Sequence, residues 1–231
     1  MYAVPELCRT LKPPLSEAKG RVSVAQTPNT HFPAGKGEGQ SIVQRILRPV
    51  LIAIPPSDEL SGAQRVARQR HYARQALKHC AELRGAPQDG WEQDANDVPL
   101  PNAGFHWSVA HKPLWAAAVI SDKPVGIDLE HIKPRREELF DDAGKPEEWA
   151  LLGERTWPAF FRLWTAKEAV LKAHGIGMAG WDRCSLAEEI DDRHLRLLFA
   201  GRSATVEHHY HQEHVAAVTT GGASTEWNLI T

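Results

Sequence analysis

The chain has 231 residues, of which 42% are hydrophobic and 24% are charged. This balance is typical of a folded globular protein and excludes a disordered or fibrous one. The formal net charge is −2, so the chain has no overall positive field that would attract nucleic acid or an anionic membrane surface. Any anionic ligand must therefore be held by a local cluster of basic side chains.

The cysteines and the apolar segments indicate the cellular setting. Cys8, Cys80 and Cys184 show neither CxxC nor zinc-ligand spacing, which favours a reducing cytoplasm. Residues 1 to 12 lack the pattern of a secretory signal. The longest apolar runs are far shorter than the roughly 20 residues that span a bilayer. We therefore expect a cytoplasmic protein with neither a membrane nor a nucleic-acid partner.

The first half of the chain predicts an extension, a strand, a helix and a loop. Residues 1 to 40 are rich in proline and glycine and show no periodicity, which indicates a flexible extension. Residues 46 to 54 read as a strand. Residues 58 to 83 have apolar positions at helical spacing, followed by a long loop over 85 to 104. Four arginines crowd the predicted helix: Arg65, Arg68, Arg70 and Arg74.

The second half predicts a hairpin, a helix and further strands. Residues 114 to 120 and 125 to 132 are strand-like and are separated by turn-forming residues, which predicts that they pair as a hairpin. Residues 146 to 174 read as helical, with a break at Pro158. Three more strands follow near 195–199, 203–208 and 214–219. The class is therefore α+β, and strands flank a long helix in each half, which is compatible with a distant internal duplication.

The strand over 125 to 130 carries two carboxylates. Its period of two places Gly126, Asp128 and Glu130 on one face, with the carboxylates starting roughly 7 Å apart. One metal ion could lie between them, and Gly126 would leave space for a ligand. Oxygen ligands favour a hard cation, magnesium before zinc. The same pattern also fits a half-buried strand with a solvated acidic face.

The predicted helix over 160 to 174 carries an aromatic, an acidic and a basic side chain on one stripe. Trp164, Glu168 and Lys172 are spaced four residues apart. A pocket could use all three, or they could be a core tryptophan beside a surface ion pair worth about 0.2 to 0.5 kcal/mol. His111 and Lys112 precede the predicted hairpin and could clamp an anion, although a single histidine is often incidental.

These segments, taken together and in this order, resemble the 4'-phosphopantetheinyl transferase superfamily, above all its monomeric surfactin-synthetase-activating type. The signature of the family is an Asp-x-Glu strand after a glycine, followed by Trp-x-x-Lys-Glu-x-x-x-Lys on a helix. The matching residues are Gly126, Asp128, Glu130, Trp164, Lys167, Glu168 and Lys172. The resemblance covers roughly residues 60 to 219.

The resemblance implies a particular architecture. Two similar packed α/β subdomains would be related by a pseudo-twofold arrangement, with the active site at their interface. On this basis residues 41 to 112 are expected to form the N-terminal subdomain, and residues 113 to 231 the C-terminal subdomain that carries the metal site.

The resemblance also implies roles for individual residues. Mg²⁺ would be held by Asp128, Glu130 and Glu168, and Glu168 and Lys172 would act in catalysis. Coenzyme A would be bound by His111, Lys112, Arg68, Arg74 and Lys167. The sequence departs from the family at Ala110, where a serine is usual, and at residues 97 to 99, where Gly-Lys-Pro is usual. These departures concern the affinity for coenzyme A rather than the type of reaction.

The implied activity is Mg²⁺-dependent transfer of the 4'-phosphopantetheine group from coenzyme A to a serine of an apo acyl or peptidyl carrier protein, with release of 3',5'-ADP. The enzyme would be a monomer. One alternative is a Mg²⁺-dependent nucleotide pyrophosphohydrolase that uses the same carboxylates to activate water. Another is an inactive module that only binds carrier proteins.

Two other motifs are set aside. Residues 175 to 180 satisfy GxGxxG, but they follow a predicted helix, whereas a dinucleotide-binding loop follows a strand. Residues 207 to 214 contain four histidines, which we interpret as an exposed hairpin tip rather than a metal site.

Overall fold

The computed structural model describes residues 45–57 and 60–231, so the predicted extension over 1 to 40 lies outside the described residues. The helices are α1 (Gly62–Arg84), α2 (Leu139–Ala143), α3 (Pro146–Leu152) and α4 (Trp157–Ala173), and a 3₁₀ segment spans Gly177–Arg183. The strands are β1 (Ile46–Leu47), β2 (Val50–Ala53), β3 (His106–His111), β4 (Trp115–Ser121), β5 (Ile127–His131), β6 (Cys184–Glu189), β7 (His194–Phe199), β8 (Arg202–His211), β9 (His214–Thr219), β10 (Ser224–Thr225) and β11 (Asn228–Ile230). None of the helices in these ranges is long and apolar enough to cross a membrane.

Helix α1 covers one face of a four-stranded sheet. The strand order is β11-β2-β4-β3, in which β4 is antiparallel to both β2 and β3, while β11 is parallel to β2. Ser61 caps α1 through a capping box with Gln64, and Gly85 ends it in the left-handed conformation. The core between helix and sheet contains Val50, Ile52, Ala76, Leu77, Cys80, Trp107 and Ile120.

Helix α4 covers one face of a five-stranded antiparallel sheet. The strand order is β5-β9-β8-β7-β6. The core on this side contains Phe160, Leu163, Val170, Leu171, Leu195, Leu197, Phe199 and Val215. Strand β5, which carries the predicted carboxylates, is at an edge of this sheet and directly under α4.

The two sheets pack on each other through their remaining faces. Leu51 and Val119 of the first sheet meet Ile127, Leu129 and Val218 of the second. Strands β4 and β9 are therefore buried on both faces, which explains why each reads as an almost continuous apolar run. The layers follow the order α1, sheet, sheet, α4, and the α+β class is confirmed.

The two halves repeat one topology. A first strand (β2 or β5) leads to the long helix, and the antiparallel strands that follow end with one that pairs with the first strand. The second half departs from the first by the short helices α2 and α3 and by two additional strands after the long helix. The repetition supports the duplication that the sequence suggested.

The predicted hairpin between residues 114–120 and 125–132 is wrong. Strand β4 pairs with β2 and β3, whereas β5 pairs with β9, so the turn after Ser121 leads from one sheet to the other. The first sheet contains β2 and β3, which precede residue 112, and β4, which follows it. Strand β11, from the end of the chain, also belongs to this sheet. Subdomain limits at 41–112 and 113–231 stay a prediction.

The helical region over 146 to 174 is two helices rather than one. Helix α3 ends at Leu152, and α4 begins after Thr156, whose side chain accepts a hydrogen bond from the Ala159 amide. Pro158 falls in the first turn of α4, where its missing N–H costs nothing. The proline therefore marks the start of α4 instead of a break within it.

Candidate active site

Strand β5 presents its two carboxylates on the face that α4 covers. Ile127 and Leu129 enter the core between the sheets, as the alternation predicted. Asp128 and Glu130 therefore point to the opposite side, where Asp128 is only 6% exposed. Two successive turns of α4 bring Glu168 and Lys172 over the same strand.

Gly126 allows α4 to approach β5 closely. A Cβ atom at this position would lie 1.9 Å from the Ala169 carbonyl oxygen and 2.7 Å from the Ala173 nitrogen. The space beside Gly126 is thus filled by the helix backbone. The prediction that this glycine leaves room for a ligand is wrong, because its small size serves helix packing.

Each strand carboxylate is paired with a lysine. Lys172 Nζ lies 2.7 Å from Asp128 Oδ1 and also donates to the Ile127 carbonyl oxygen at 3.2 Å. Lys112 Nζ lies 2.7 Å from Glu130 Oε1. The ammonium groups of Lys172 and Lys112 therefore balance the negative charges of these two largely buried carboxylates.

The carboxylates and Lys172 interact strongly with one another. Burial, followed by the negative charge of Asp128, raises the pKa of Glu168 to about 7. Burial also raises the pKa of Glu130, against the opposing effect of Lys112. Burial alone would lower the pKa of Lys172, but the charges of Asp128 and Glu168 outweigh it and raise that pKa. Glu168 is thus a carboxylate that can exchange a proton near neutral pH.

Asp128, Glu130 and Glu168 are the candidate metal ligands. Across residues 45–57 and 60–231, no three His, Cys, Asp or Glu side chains converge closely enough to hold a metal ion. The donor chemistry nevertheless fits a hard cation, because the three groups offer only oxygen. Asp128 Oδ2 is buried and, within the same ranges, has no hydrogen-bond partner. Asp128 therefore has one oxygen available for a ligand or a cation.

A cavity of about 530 Å³ opens beside this cluster, between α1, β3 and the β5–α4 pair. Basic side chains are the largest group in its wall. The lining side chains include Arg70, Arg74, His111, Lys112 and Lys172, together with Gln93, Asp97 and Asp128. A cavity in which arginine and lysine side chains outnumber the two carboxylates, Asp97 and Asp128, suits a phosphate-bearing ligand.

Most of the predicted ligand-binding residues meet in this cavity, but Arg68 does not. Its guanidinium lies 5.9 Å from the centre of the Tyr72 ring, on the surface of α1. Arg70, which the sequence had not singled out for ligand binding, lines the cavity instead. Helical spacing could have identified Arg70 from the sequence, because Arg70 and Arg74 are four residues apart and share a helix face.

Arg74 joins α1 to the long loop before β3. Its Nη1 donates to the Trp91 carbonyl oxygen at 2.7 Å, and its Nη2 donates to Gln93 Oε1 at 3.1 Å. The guanidinium also stacks 4.8 Å from the centre of the Trp107 ring. Arg74 therefore holds the cavity wall in place in addition to contributing charge.

Lys167 lies elsewhere, in a buried network with Glu148. Its Nζ donates to the Ala143 carbonyl oxygen and to Glu148 Oε2, both at 2.9 Å, and the residue is 3% exposed. Glu148 Oε1 accepts from the Leu186 amide at 2.7 Å. The structure does not place Lys167 at the cavity, and its predicted contact with coenzyme A stays a prediction. Glu148 gave no recognisable signal in the sequence.

His111 ends β3 at the cavity and is half-buried. Its Nδ1 lies 3.1 Å from Gln69 Oε1 on α1. Burial, then the positive charges of Lys172 and Lys112, lower the pKa of His111. Ala110, which stands where the family usually has serine, lines the same cavity with its methyl group.

The histidine-rich segment is a hairpin, but it is not exposed throughout. His208 of β8 is fully buried, and His214 of β9 is 2% exposed. The prediction of an exposed tip is therefore wrong for these two residues, because His208 contacts the carbonyl oxygens of Arg162 and Arg193 and His214 stacks on His131. Residues 177 to 180 lie in the 3₁₀ segment after α4, so the GxGxxG sequence does not form a strand-to-helix loop.

Residues 124–220 match the family model described as the 4'-phosphopantetheinyl transferase superfamily. The resemblance inferred from the motifs is thereby confirmed. The matched segment contains β5, α4 and the rest of the five-stranded sheet, and hence all three carboxylates and Lys172. The basic residues of α1 and β3 lie before it.

Several curated relatives are named 4'-phosphopantetheinyl transferases. A 4'-phosphopantetheinyl transferase of Bacillus pumilus is 33% identical over 95 residues, which cover 38% of this chain and 41% of the relative. HetI of a Nostoc species is 36% identical over 92 residues, covering 37% and 39%. Sfp of Bacillus subtilis is 31% identical over 85 residues, covering 35% and 37%. The chain thus spans about two fifths of the length of the relatives that it matches.

Proposed function

We propose that this protein transfers the 4'-phosphopantetheine group of coenzyme A to a serine of an apo acyl or peptidyl carrier protein, with Mg²⁺ as cofactor. The observation that carries the proposal is that a cavity lined by basic side chains lies beside a cluster of carboxylates. Arginine and lysine side chains line the cavity, and so does Asp128, which belongs to the carboxylate cluster of β5 and α4. Phosphate binding and phosphoryl transfer need both features side by side.

The basic wall would bind the phosphates of coenzyme A. Arg70, Arg74 and His111 line one side of the cavity and can meet the 3'-phosphate. Lys112 and Lys172 lie nearer the carboxylates, which suits the pyrophosphate. In this proposal Arg70 takes the role that the sequence had assigned to Arg68.

Asp128, Glu130 and Glu168 would hold the Mg²⁺ ion, which would neutralise the charge of the pyrophosphate when bound. Their chemistry fits because the donors are anionic oxygens, one of them unpaired within the described chain. The lysines that now pair with Asp128 and Glu130 would then be free to turn towards the phosphates.

The reaction is a displacement at phosphorus. The serine oxygen of the carrier forms a bond to the β-phosphorus, the bridging P–O bond breaks, and 3',5'-ADP leaves. Glu168 is the proposed base for the serine proton, since a carboxylate with a pKa of about 7 can accept a proton near neutral pH. Such a base typically contributes about 10² to 10⁴ in rate.

Lys172 would stabilise the charge that builds up on the leaving group. Its ammonium has three N–H donors, of which two contact Asp128 and the Ile127 carbonyl oxygen. One donor remains for a phosphate oxygen. His111 is the second candidate for the base, but its place among the cations of the cavity favours phosphate binding.

Two further features belong to the proposal. The monomeric state that the family resemblance implies belongs to the proposal. Within the described residues Cys80 and Cys184 are free and buried, which supports a cytoplasmic setting. Sedimentation at several protein concentrations would check the monomer.

Incubation with coenzyme A, Mg²⁺ and a panel of apo carrier proteins, followed by mass spectrometry, tests the function. We expect a carrier to gain the mass of one phosphopantetheine group, with the gain abolished by a chelator. Release of 3',5'-ADP without any carrier would instead indicate the pyrophosphohydrolase. Binding of carriers with no mass change would indicate the inactive module.

A further inference from the structure

The hydrogen bond between Gln69 and His111 links α1 to the end of β3. Gln69 Oε1 lies 3.1 Å from His111 Nδ1, and the two residues are 42 positions apart in the sequence. Both are partly buried, so the bond forms where competition from water is reduced. Gln69 itself does not line the cavity, whereas His111 does.

The chemistry of this bond determines the tautomer of the ring. An amide oxygen only accepts, so His111 Nδ1 must carry a proton, and Nε2 is the nitrogen left for a ligand. The amide does not titrate between acidic and basic pH. Gln69 can therefore accept from Nδ1–H whether His111 is neutral or protonated.

The charges around the ring come from three segments of the chain. Lys172 of α4, Lys112 immediately after β3 and Arg70 of α1 all disfavour a positive charge on His111. A phosphate group that entered the cavity would offset them and would need an N–H donor at Nε2. With Nδ1 already engaged by Gln69, that donor is gained by adding a proton at Nε2.

We propose that Gln69 is a positioning residue for His111: its amide oxygen fixes the Nδ1–H tautomer and the ring orientation, so that Nε2 is reserved for a phosphate of coenzyme A. The proposal rests on the proposed function for the identity of the ligand. The tautomer itself is a property of the free protein and can be measured without any ligand.

The variants Gln69→Met and Gln69→Glu separate shape from hydrogen bonding. Methionine keeps the length of the side chain but has no amide acceptor, whereas glutamate restores an acceptor for Nδ1–H. Gln75→Met on the same helix, outside the cavity lining, is the matched control. Thermal melts followed by circular dichroism show that each variant is folded.

Long-range ¹H–¹⁵N spectra report the His111 tautomer, assigned with His111→Ala. We expect Nδ1–H in the wild type, in Gln69→Glu and in Gln75→Met, and a mixture of tautomers in Gln69→Met. An unchanged tautomer in folded Gln69→Met would overturn the proposal.

Calorimetric titration with 3',5'-ADP and with coenzyme A reports the consequence for binding. We expect Gln69→Met to weaken both ligands about tenfold, as for the loss of one hydrogen bond at a charged group, with Gln69→Glu retaining most of the affinity. Because Gln69 acts through His111, the double variant Gln69→Met/His111→Ala should bind no more weakly than His111→Ala.

Additive losses in the double variant would overturn the positioning role, since they would show that Gln69 acts independently of His111. A wild-type protein that bound neither 3',5'-ADP nor coenzyme A would overturn the proposed function. In that case the nitrogen spectra would still decide whether Gln69 sets the tautomer, so the two failures are distinguishable.

Discussion

Asp128 and Lys172 illustrate, at the scale of single residues, how the site handles buried charge. A carboxylate that is 6% exposed is costly unless it is paired, and Lys172 supplies the pair at 2.7 Å. The same lysine keeps one donor free, and Asp128 keeps one oxygen unpaired within the described residues. The pair can therefore balance charge in the free protein and still bind phosphate and a cation.

The first prediction concerns the carboxylates. Asp128→Asn, Glu130→Gln and Glu168→Gln should each cost about 3 kcal/mol of transition-state stabilisation, roughly a hundredfold in rate, because an amide keeps the shape but loses the charge. High Mg²⁺ should partly rescue the two strand variants, whose proposed role is to hold the ion. Glu168→Gln should resist rescue, because metal cannot replace a missing base.

The measurement is the mass gain of an apo carrier protein across a Mg²⁺ titration, with circular dichroism as the folding control. Glu154→Gln, at an exposed position, provides the matched control. Near-normal transfer by folded Asp128→Asn and Glu168→Gln would contradict the metal site.

The second prediction separates structure from ligand binding at Lys167. Lys167→Met leaves Glu148 as an unpaired buried carboxylate, so the free energy of unfolding should fall by about 3 to 5 kcal/mol. Adding Glu148→Gln should recover part of the loss, which urea denaturation of the two variants would show. A stable Lys167→Met protein with greatly weakened binding of coenzyme A would restore the role that the sequence assigned to this lysine.

At the scale of elements, the site depends on how closely α4 lies on β5. Glu168 and Lys172 reach the strand carboxylates only because the helix backbone passes directly over Gly126. The first half of the molecule shows the corresponding arrangement, since α1 covers its sheet and brings Arg70 and Arg74 to the cavity. Each long helix thus contributes one side of the site.

The third prediction tests this close approach. Gly126→Ala would place a Cβ atom 1.9 Å from the Ala169 carbonyl oxygen, so α4 must move away from β5. We expect a loss of at least about 3 kcal/mol in stability, because neither backbone can yield easily, together with loss of transfer activity. Thermal denaturation and the carrier assay measure the two effects.

Gly62→Ala is the matched control for this variant, because nothing lies within 4 Å of the added atom and Gly62 is in the first turn of α1. It should be neutral or slightly stabilising, as is usual when alanine replaces glycine in a helix. A Gly126→Ala protein as stable as Gly62→Ala would mean that α4 does not lie this close to β5.

At the scale of the whole molecule, the cavity lies where the two repeated halves meet. Its lining residues fall between positions 70 and 172 and come from α1, the long loop, β3, β5 and α4. The end of the chain returns to the first half, where β11 pairs in parallel with β2. Residues 228–230 therefore belong to the fold although they do not line the cavity.

The fourth prediction concerns the ends of the chain. Deleting residues 1 to 35, which lie outside the described residues, should leave transfer activity largely intact, because they show no core-forming periodicity. Deleting residues 228 to 231 should lower the melting temperature, because β2 would lose its parallel partner. Carrier modification and thermal melts test both changes. A folded but inactive N-terminal deletion would show that the first residues take part in function.

The sequence by itself determined the local chemistry of the site. The period of a strand placed Asp128 and Glu130 on one face, and the period of a helix aligned Glu168 with Lys172. These directions depend only on backbone geometry within one element, so they could be derived without knowledge of the fold. The motifs also indicated the superfamily that the comparison confirmed over residues 124–220.

Only the tertiary structure decided which other segments and side chains these elements contact. It placed β4 and β5 in different sheets and placed Arg70 rather than Arg68 in the cavity lining. It also filled the space at Gly126 with a helix and paired Lys167 with Glu148. The hydrogen bond from His111 to Gln69 is likewise invisible in the sequence. The physical reason is that strand pairing, burial and ion pairing depend on contacts between segments far apart in the chain, and the periodicity of one segment carries no information about its distant partner.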